Sequence, residues 1–213
     1  MKRGKFIVFE GMDGSGKSTA VQLMYDRLQE LQIPVVKLRI PGGTEVGEQL
    51  RSILLSSESN LEKETEFLLM QATRIEAYNK IIKPAIDEGI WVLCDRFCTS
   101  SFVYQHTIRG VNKGLIQETI DYTTPDTIIN CSLYIRRPFD NILAHLDKKE
   151  KDHFESVGQD VLKNIFNEYE YLTSDVYSNW IVVNNDGELD KFKHKIHTAT
   201  DLLSTVGCSG MVI

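Results

Sequence analysis

Residues 11 to 18, Gly11-Met12-Asp13-Gly14-Ser15-Gly16-Lys17-Ser18, fit the spacing G-x-x-x-x-G-K-[ST]. That spacing suits one task, the holding of a polyphosphate. Glycines let backbone N–H groups converge on a phosphate with no Cβ in the way, and a helix that follows presents its positive end. Gly11, Met12, Asp13, Gly14, Ser15, Gly16, Lys17, Ser18 and Thr19 are therefore expected to wrap the phosphates of a nucleoside triphosphate such as ATP. Lys17 is placed to reach the β- and γ-phosphates, and the Ser18 hydroxyl to ligate Mg²⁺. Holding a triphosphate leaves its fate open. The phosphoryl group passes either to a second substrate, as in a kinase, or to water, as in a hydrolase or switch.

Such a loop needs a strand before it and a helix after it, and the chain supplies both. Residues 5–10 form a short strand-type run in which Phe6, Ile7, Val8 and Phe9 follow without polar interruption, suited to a strand covered on both faces. Residues 18–31 carry Val21, Met24, Leu28 and Leu31 at spacings of three and four, one buried helical face. Further strands are expected at 35–40, 90–94, 127–135 (weakened by Asn130) and 180–183. Helices are expected at 46–55, 62–88 (capped by Gly89), up to about Tyr122, within 138–177 and at 189–203, with the last six residues frayed. Strands alternating with helices give an α/β class. The expected architecture is one domain over 1–213, a three-layer P-loop NTPase fold with a five-stranded parallel sheet flanked by helices. The charge run DKKEKDH at 147–153 reads as a solvated loop or as a short mobile lid at about 147–154.

In open α/β sheets ligands lie beyond the carboxyl ends of the strands. Asp13, Arg39, Asp95 and Arg96 all follow predicted strands and should converge there. Arg96 can fork onto the phosphate of an acceptor, a geometry that suits a planar guanidinium. Asp95 stands where a second carboxylate near Mg²⁺ is expected, acting directly or through water; a helix cap or a partner for Arg96 is the competing role.

Composition narrows the partners. The chain has 213 residues and a formal net charge of −6, with 42% hydrophobic and 25% charged residues. An acidic balance argues against coating a nucleic acid or a membrane through bulk positive charge, while leaving room for a local basic pocket. The amino-terminal apolar run is too short for a signal-peptide core, and no stretch approaches the ~20 apolar residues that span a bilayer. Cys94, Cys98, Cys131 and Cys208 match no metal spacing, so reduced thiols in a cytoplasmic protein are expected.

FEGMDGSGKST at 9–19, RIPGGT at 39–44, LRSILL at 50–55, ATR at 72–74, IIKPAIDEGIWVLCDRF at 81–97 and SSFVYQ at 100–105 form an ordered series. With these motifs the chain resembles the thymidylate kinase family, especially its bacterial branch, over nearly its whole length. The resemblance implies phosphoryl transfer from ATP to a deoxypyrimidine monophosphate, most simply dTMP, with Mg²⁺ and in a homodimer. It also implies roles: Asp13 on the sugar 3′-hydroxyl, Arg74 on the base, and Ser101 and Gln105 as a polar pair near the base. Arg39, Pro41, Met70 and Arg96 complete the acceptor site, while Tyr104 is read as packing.

Three positions depart from the family pattern. Met70 stands where a base-stacking Phe is usual, Ile40 where an acidic residue is usual, and Phe97 where an aromatic or His with a polar tip is usual. These changes surround the acceptor base and open the alternative of altered or relaxed specificity, for example toward 5-substituted dUMP. Some members carry a P-loop arginine, bacterial ones lid arginines, yet no arginine follows Arg137 here. Lys148, Lys149 and Lys151, with His153, are the expected substitutes, and Arg136 and Arg137 are held in reserve. A P-loop switch or a nucleotide-binding protein without catalysis remain the alternatives from other classes.

Overall fold

Alternation along Phe6–Glu10 (β1) sends Phe6 and Val8 to one face of a sheet and Ile7 and Phe9 to the other, and all four are buried. A strand apolar on both faces belongs in the middle of a parallel sheet, and β1 does lie there. In the computed structural model, which describes residues 3–56, 58–125, 129–146, 158–174, 179–206, 208 and 211–213, its neighbours are Trp91–Asp95 (β3) and Cys131–Arg136 (β4). Val35–Arg39 (β2) pairs outside β3, and Trp180–Asn184 (β5) outside β4. Met211–Val212 (β6) closes the order β2-β3-β1-β4-β5-β6, every pair parallel.

The sheet thus has six described strands where five were expected. The extra one falls in the tail expected to fray. The open edge of β5 offers unpaired backbone groups, and the tail satisfies them: Asn184 N–H donates to the Ile213 carbonyl (3.0 Å), and Ile213 N–H to Val182 (2.8 Å).

Helices cover both faces. Lys17–Glu30 (α1) and Leu189–Thr205 (α9) bury Ala20, Met24, Leu28, Ile196 and Leu203 against Ile7, Leu93, Leu133 and Val183. On the opposite face, Ala77, Tyr78, Ile82 and Ala85 pack on Phe6, Val8, Val92 and Cys94. Phe139–Leu146 (α7) and Gln159–Leu172 (α8) bury Ile142, Leu162 and Ile165 against Tyr134 and Val182. Each fully buried side chain of this kind is worth about 1.5–3 kcal/mol.

The helix expected at 62–88 is divided into Lys63–Ala77 (α3), a π-helical turn at Tyr78–Ile82, and Lys83–Asp87 (α4). Pro84 has no N–H to return to the preceding turn and its ring crowds that turn, so the helix widens just before it. Gly89, at φ +84°, closes the helix as expected, and Ile90 N–H donates back to the Ala85 carbonyl. The helix expected up to Tyr122 is likewise divided, into Cys98–Ser101 (α5), a π-helical segment at Phe102–Ile108, and Lys113–Thr123 (α6). Glu45–Leu55 (α2) opens on Thr44, whose hydroxyl accepts from Gly47 N–H. β4 begins at Cys131, directly after Asn130, whose side-chain oxygen accepts from Phe6 N–H at 2.7 Å.

Candidate active site

The loop after β1 coils under the start of α1. Gly16 shows why its glycines are required: it sits at φ +103°, and a Cβ there would lie 2.5 Å from the Asn185 amide nitrogen. Asn185, at the end of β5, donates from below to the Ser15 carbonyl at 2.7 Å. The turn is therefore held by a residue from two strands away in the sheet. Lys17 bends back, its ammonium donating to the Met12 carbonyl (2.8 Å) and lying 3.4 Å from Asp13. Met12 and Ser15 are buried beneath the loop, while Gly14, Gly16, Lys17, Ser18 and Thr19 face a cleft.

Arg96 follows β3 with a left-handed backbone, φ +69°, a conformation a non-glycine residue adopts at a cost of about 1–2 kcal/mol. That turn aims its guanidinium across the loop. It donates to Asp13 (2.8 Å), Ser100 (3.1 Å) and the Tyr169 hydroxyl (3.0 Å), and lies over the Tyr104 ring. Beneath it, the fully buried Glu10 accepts from Ser100 Oγ (2.6 Å), from Tyr169 (3.2 Å) and from Phe97 N–H (3.0 Å). The last residue of β1, the start of α5 and the middle of α8 thus brace one arginine.

These contacts set the charge of the site. Burial alone would push the Asp13 carboxyl up, but Arg96 and Lys17 outweigh it and hold it well below the usual carboxylate range. The Lys17 ammonium is pulled down, first by burial and then by Arg96, against the opposing carboxylates. For Arg96, burial lowers the pKa, yet Asp13 and the Tyr104 and Tyr169 hydroxyls hold it well above the ordinary value. Excess positive potential at a closed phosphate loop is what an anionic ligand would neutralise.

Two chambers meet over this network. The larger, of about 400 Å³, runs from Lys17, Ser18 and Asp95 to Asn185, Leu189 and Phe192, with Arg137 and His145 on its rim. The smaller, of about 90 Å³, is lined by Pro41, Leu55, Met70, Ser100, Tyr104 and Gln105. Asp13, Ile40, Arg51 and Arg96 line both. A phosphorylated molecule in one chamber would therefore face a phosphorylated molecule in the other across Asp13 and Arg96, an arrangement suited to in-line transfer.

The residues expected from sequence fall into five groups. Asp13, Lys17, Ser18, Asp95 and Arg96 gather at the junction. Pro41, Met70 and Gln105 line the small chamber, with Gln105 donating to the buried Glu66 (3.0 Å) and its carbonyl oxygen unpartnered among the described residues. Arg39 lines the larger chamber and pairs with Glu48 (2.8 Å). Arg74 and Ser101 line neither: both are fully buried, and Arg74 donates to Ser101 (2.7 Å), to the Phe97 carbonyl (3.0 Å) and to Gln71. Lys148, Lys149 and Lys151, with the expected lid at 147–154, lie outside the described residues.

Sequence reasoning missed four contributors. Arg51, inside the LRSILL motif, donates to the Pro41 carbonyl (2.9 Å) and reaches both chambers. Tyr104, read as packing, lines the small chamber and lies under the Arg96 guanidinium. Glu10 was signalled only by being the charged end of an apolar run. Asn185 carried no local signal. Among the described residues no group of three or more His, Cys, Asp or Glu could hold a metal, no helix is long and apolar enough to cross a membrane, and all four cysteines are free.

The model of the family described as thymidylate kinase matches residues 9–196. A thymidylate kinase of Thermosipho melanesiensis is 33% identical over 198 residues, covering 93% of this chain and 98% of the relative. One from Prochlorococcus marinus is 36% identical over 185 residues, covering 84% and 87%. One from Nitrosomonas eutropha is 49% identical over 117 residues, about half of each chain. With a phosphate loop, a braced arginine and two adjoining chambers in one frame, the chain belongs to the thymidylate kinase family.

Proposed function

We propose that this protein transfers the γ-phosphoryl group of ATP to dTMP, giving dTDP and ADP. The observation that carries this reading is the meeting of the two chambers at Asp13 and Arg96, in a chain of this family. An oxygen of the acceptor phosphate attacks the γ-phosphorus in line, the bond to the β–γ bridging oxygen breaks, and ADP leaves with that electron pair. Lys17 and Arg96 balance the charge, Asp13 orients the acceptor sugar, and no covalent enzyme intermediate is needed.

The donor set also suits Mg²⁺. Asp95 Oδ2 accepts from Ser18 Oγ at 3.2 Å, while Asp95 Oδ1 is buried without a hydrogen-bond partner among the described residues. A hydroxyl and a carboxylate oxygen facing the phosphate cleft are hard ligands of the type magnesium takes alongside substrate phosphates. The ion would neutralise phosphate charge there.

The whole chain acts as one kinase domain, with 147–154 as its lid. In that lid Lys148, Lys149 and Lys151 add positive charge on closure. Replacing all three with Met is expected to lower kcat about tenfold or more, and unchanged turnover would remove them from the account. The protein works as a homodimer in the cytoplasm on small-molecule nucleotides, not on nucleic acid polymers. Exposed Val46 and Ile53 on α2 and Leu68 on α3 support a subunit contact, and the free thiols support a reducing compartment.

Met70 and Ile40 in the small chamber favour a second reading, a kinase with relaxed preference for the 5-substituent of dUMP. ADP release measured with dTMP, dUMP, 5-substituted dUMPs and no acceptor tests both. The first reading expects dTMP to lead, equal rates across the series establish the second, and release without acceptor would contradict both.

A further inference from the structure

We infer that Arg137, the residue just beyond β4, is a catalytic residue that touches the donor triphosphate and neutralises the phosphoryl group in transit. The inference rests on the phosphoryl-transfer reading above and adds a guanidinium to the charges that Lys17 and Arg96 bring to the donor phosphates.

β4 lies beside β1, so its carboxyl end opens on the same edge of the sheet as the phosphate loop. At that end two successive arginines diverge. Arg136, the last residue of β4, turns to α8 and is ion-paired through two nitrogens with Glu170, so its charge is spent. Arg137 turns to the P-loop and donates from NH1 to the Gly14 carbonyl at 2.8 Å. It also lines the larger chamber together with Lys17, Ser18 and His145.

Its surroundings leave it able to take a phosphate. Its bond goes to a neutral carbonyl, as that of Arg51 does to Pro41, whereas Arg39 faces Glu48, and Arg96 and Lys17 share Asp13. Its Nε is buried with no hydrogen-bond partner among the described residues, a cost that a bound acceptor oxygen would remove. A guanidinium has five donors, so one bond to the loop leaves others for phosphate. Gly14 also leaves room for His145 on the same rim: a Cβ there would lie 3.1 Å from its ring. It is also the last arginine in the sequence, so no later guanidinium can take this role.

A strut that merely holds the Gly14 carbonyl would make the same contact, and charge separates the two roles. Arg137→Gln keeps a donor for the carbonyl and removes the charge; Arg137→Lys keeps the charge and loses the fork. In the full-length chain, kcat, KM for ATP and dTMP, Tm, and affinity for the mimic formed by ADP, aluminium fluoride and dTMP are measured for both variants. Arg137→Gln is expected to lower kcat about 10²- to 10³-fold, with KM for ATP within about threefold and mimic affinity falling in step with kcat. Arg137→Lys is expected to recover at least about tenfold of that loss, with Tm of the two variants alike. Gln and Lys variants equal in kcat, or mimic and ATP affinities falling together, would overturn the assignment. Wild-type protein that transfers to no acceptor would instead overturn the reading beneath it.

Discussion

Lys17→Met is expected to lower kcat/KM for ATP by about 10³-fold while leaving the protein as stable as the wild type or more so. The first half follows from position. The ammonium is the buried cation of the phosphate loop, and its bonds to the Met12 carbonyl and Asp13 keep it folded over the place a phosphate would take. The second half follows from the sign of its pKa shift. Burial, and then Arg96, lower the Lys17 pKa, so its charged form is less favourable in the folded state than in the unfolded chain. Below the unfolded pKa that difference subtracts from stability, and a Met of similar length removes it. Thermal unfolding at neutral pH, read beside steady-state kinetics, checks both halves. A fall of several degrees in Tm with ATP kinetics retained would show that Lys17 is part of the scaffold rather than of the chemistry.

Arg96→Met is expected to act on the other substrate. Its guanidinium stands at the junction of the chambers, braced by Ser100, Tyr169 and Asp13, so kcat/KM for dTMP should fall about 10³-fold with KM for ATP nearly unchanged. Stability should fall as well, unlike at Lys17. The surroundings hold Arg96 charged in spite of burial, and its loss leaves Ser100 and Tyr169 each short of a partner. The cost is about 1–2 kcal/mol, because the Asp13 carboxylate is 39% exposed and finds water. Tyr169→Phe removes one brace and leaves the Asp13 contact, so it should cost only about tenfold in kcat/KM for dTMP. Equal effects of the two substitutions would mean that Arg96 contributes orientation alone.

The fold was legible wherever its signal is local. The apolar runs of β1, β3 and β5 and the spacing of Val21, Met24 and Leu28 on α1 need only neighbouring residues to be read. Pro84 lay inside the helix expected at 62–88 and was not read as a break, although its ring and missing N–H disturb the turn before it. β6 was hidden for a different reason: two residues carry no pattern, and their pairing is made by the edge of β5.

The site divides the same way. The loop 11–18 and the pair Asp95-Arg96 are contiguous motifs, and both fell where expected. What closes the site comes from far along the chain. Asn185 supports Ser15 across 170 positions, Tyr169 braces Arg96 across 73, and Arg137 reaches Gly14 across 123. No spacing rule encodes such contacts. Arg74 shows the converse. Its motif marks it for the base, while the geometry places it behind the small chamber, holding Ser101 and the Phe97 carbonyl.

With two phosphorylated substrates meeting across Asp13 and Arg96, the phosphoryl group is expected to pass to a nucleotide and not to water. Phosphorus NMR of a reaction holding the protein, ATP, Mg²⁺ and dTMP observes that fate directly. ATP signals are expected to give way to those of ADP and dTDP in equal amounts, with inorganic phosphate at background. Growth of inorganic phosphate at the rate of ATP loss, with dTMP unchanged, would contradict it.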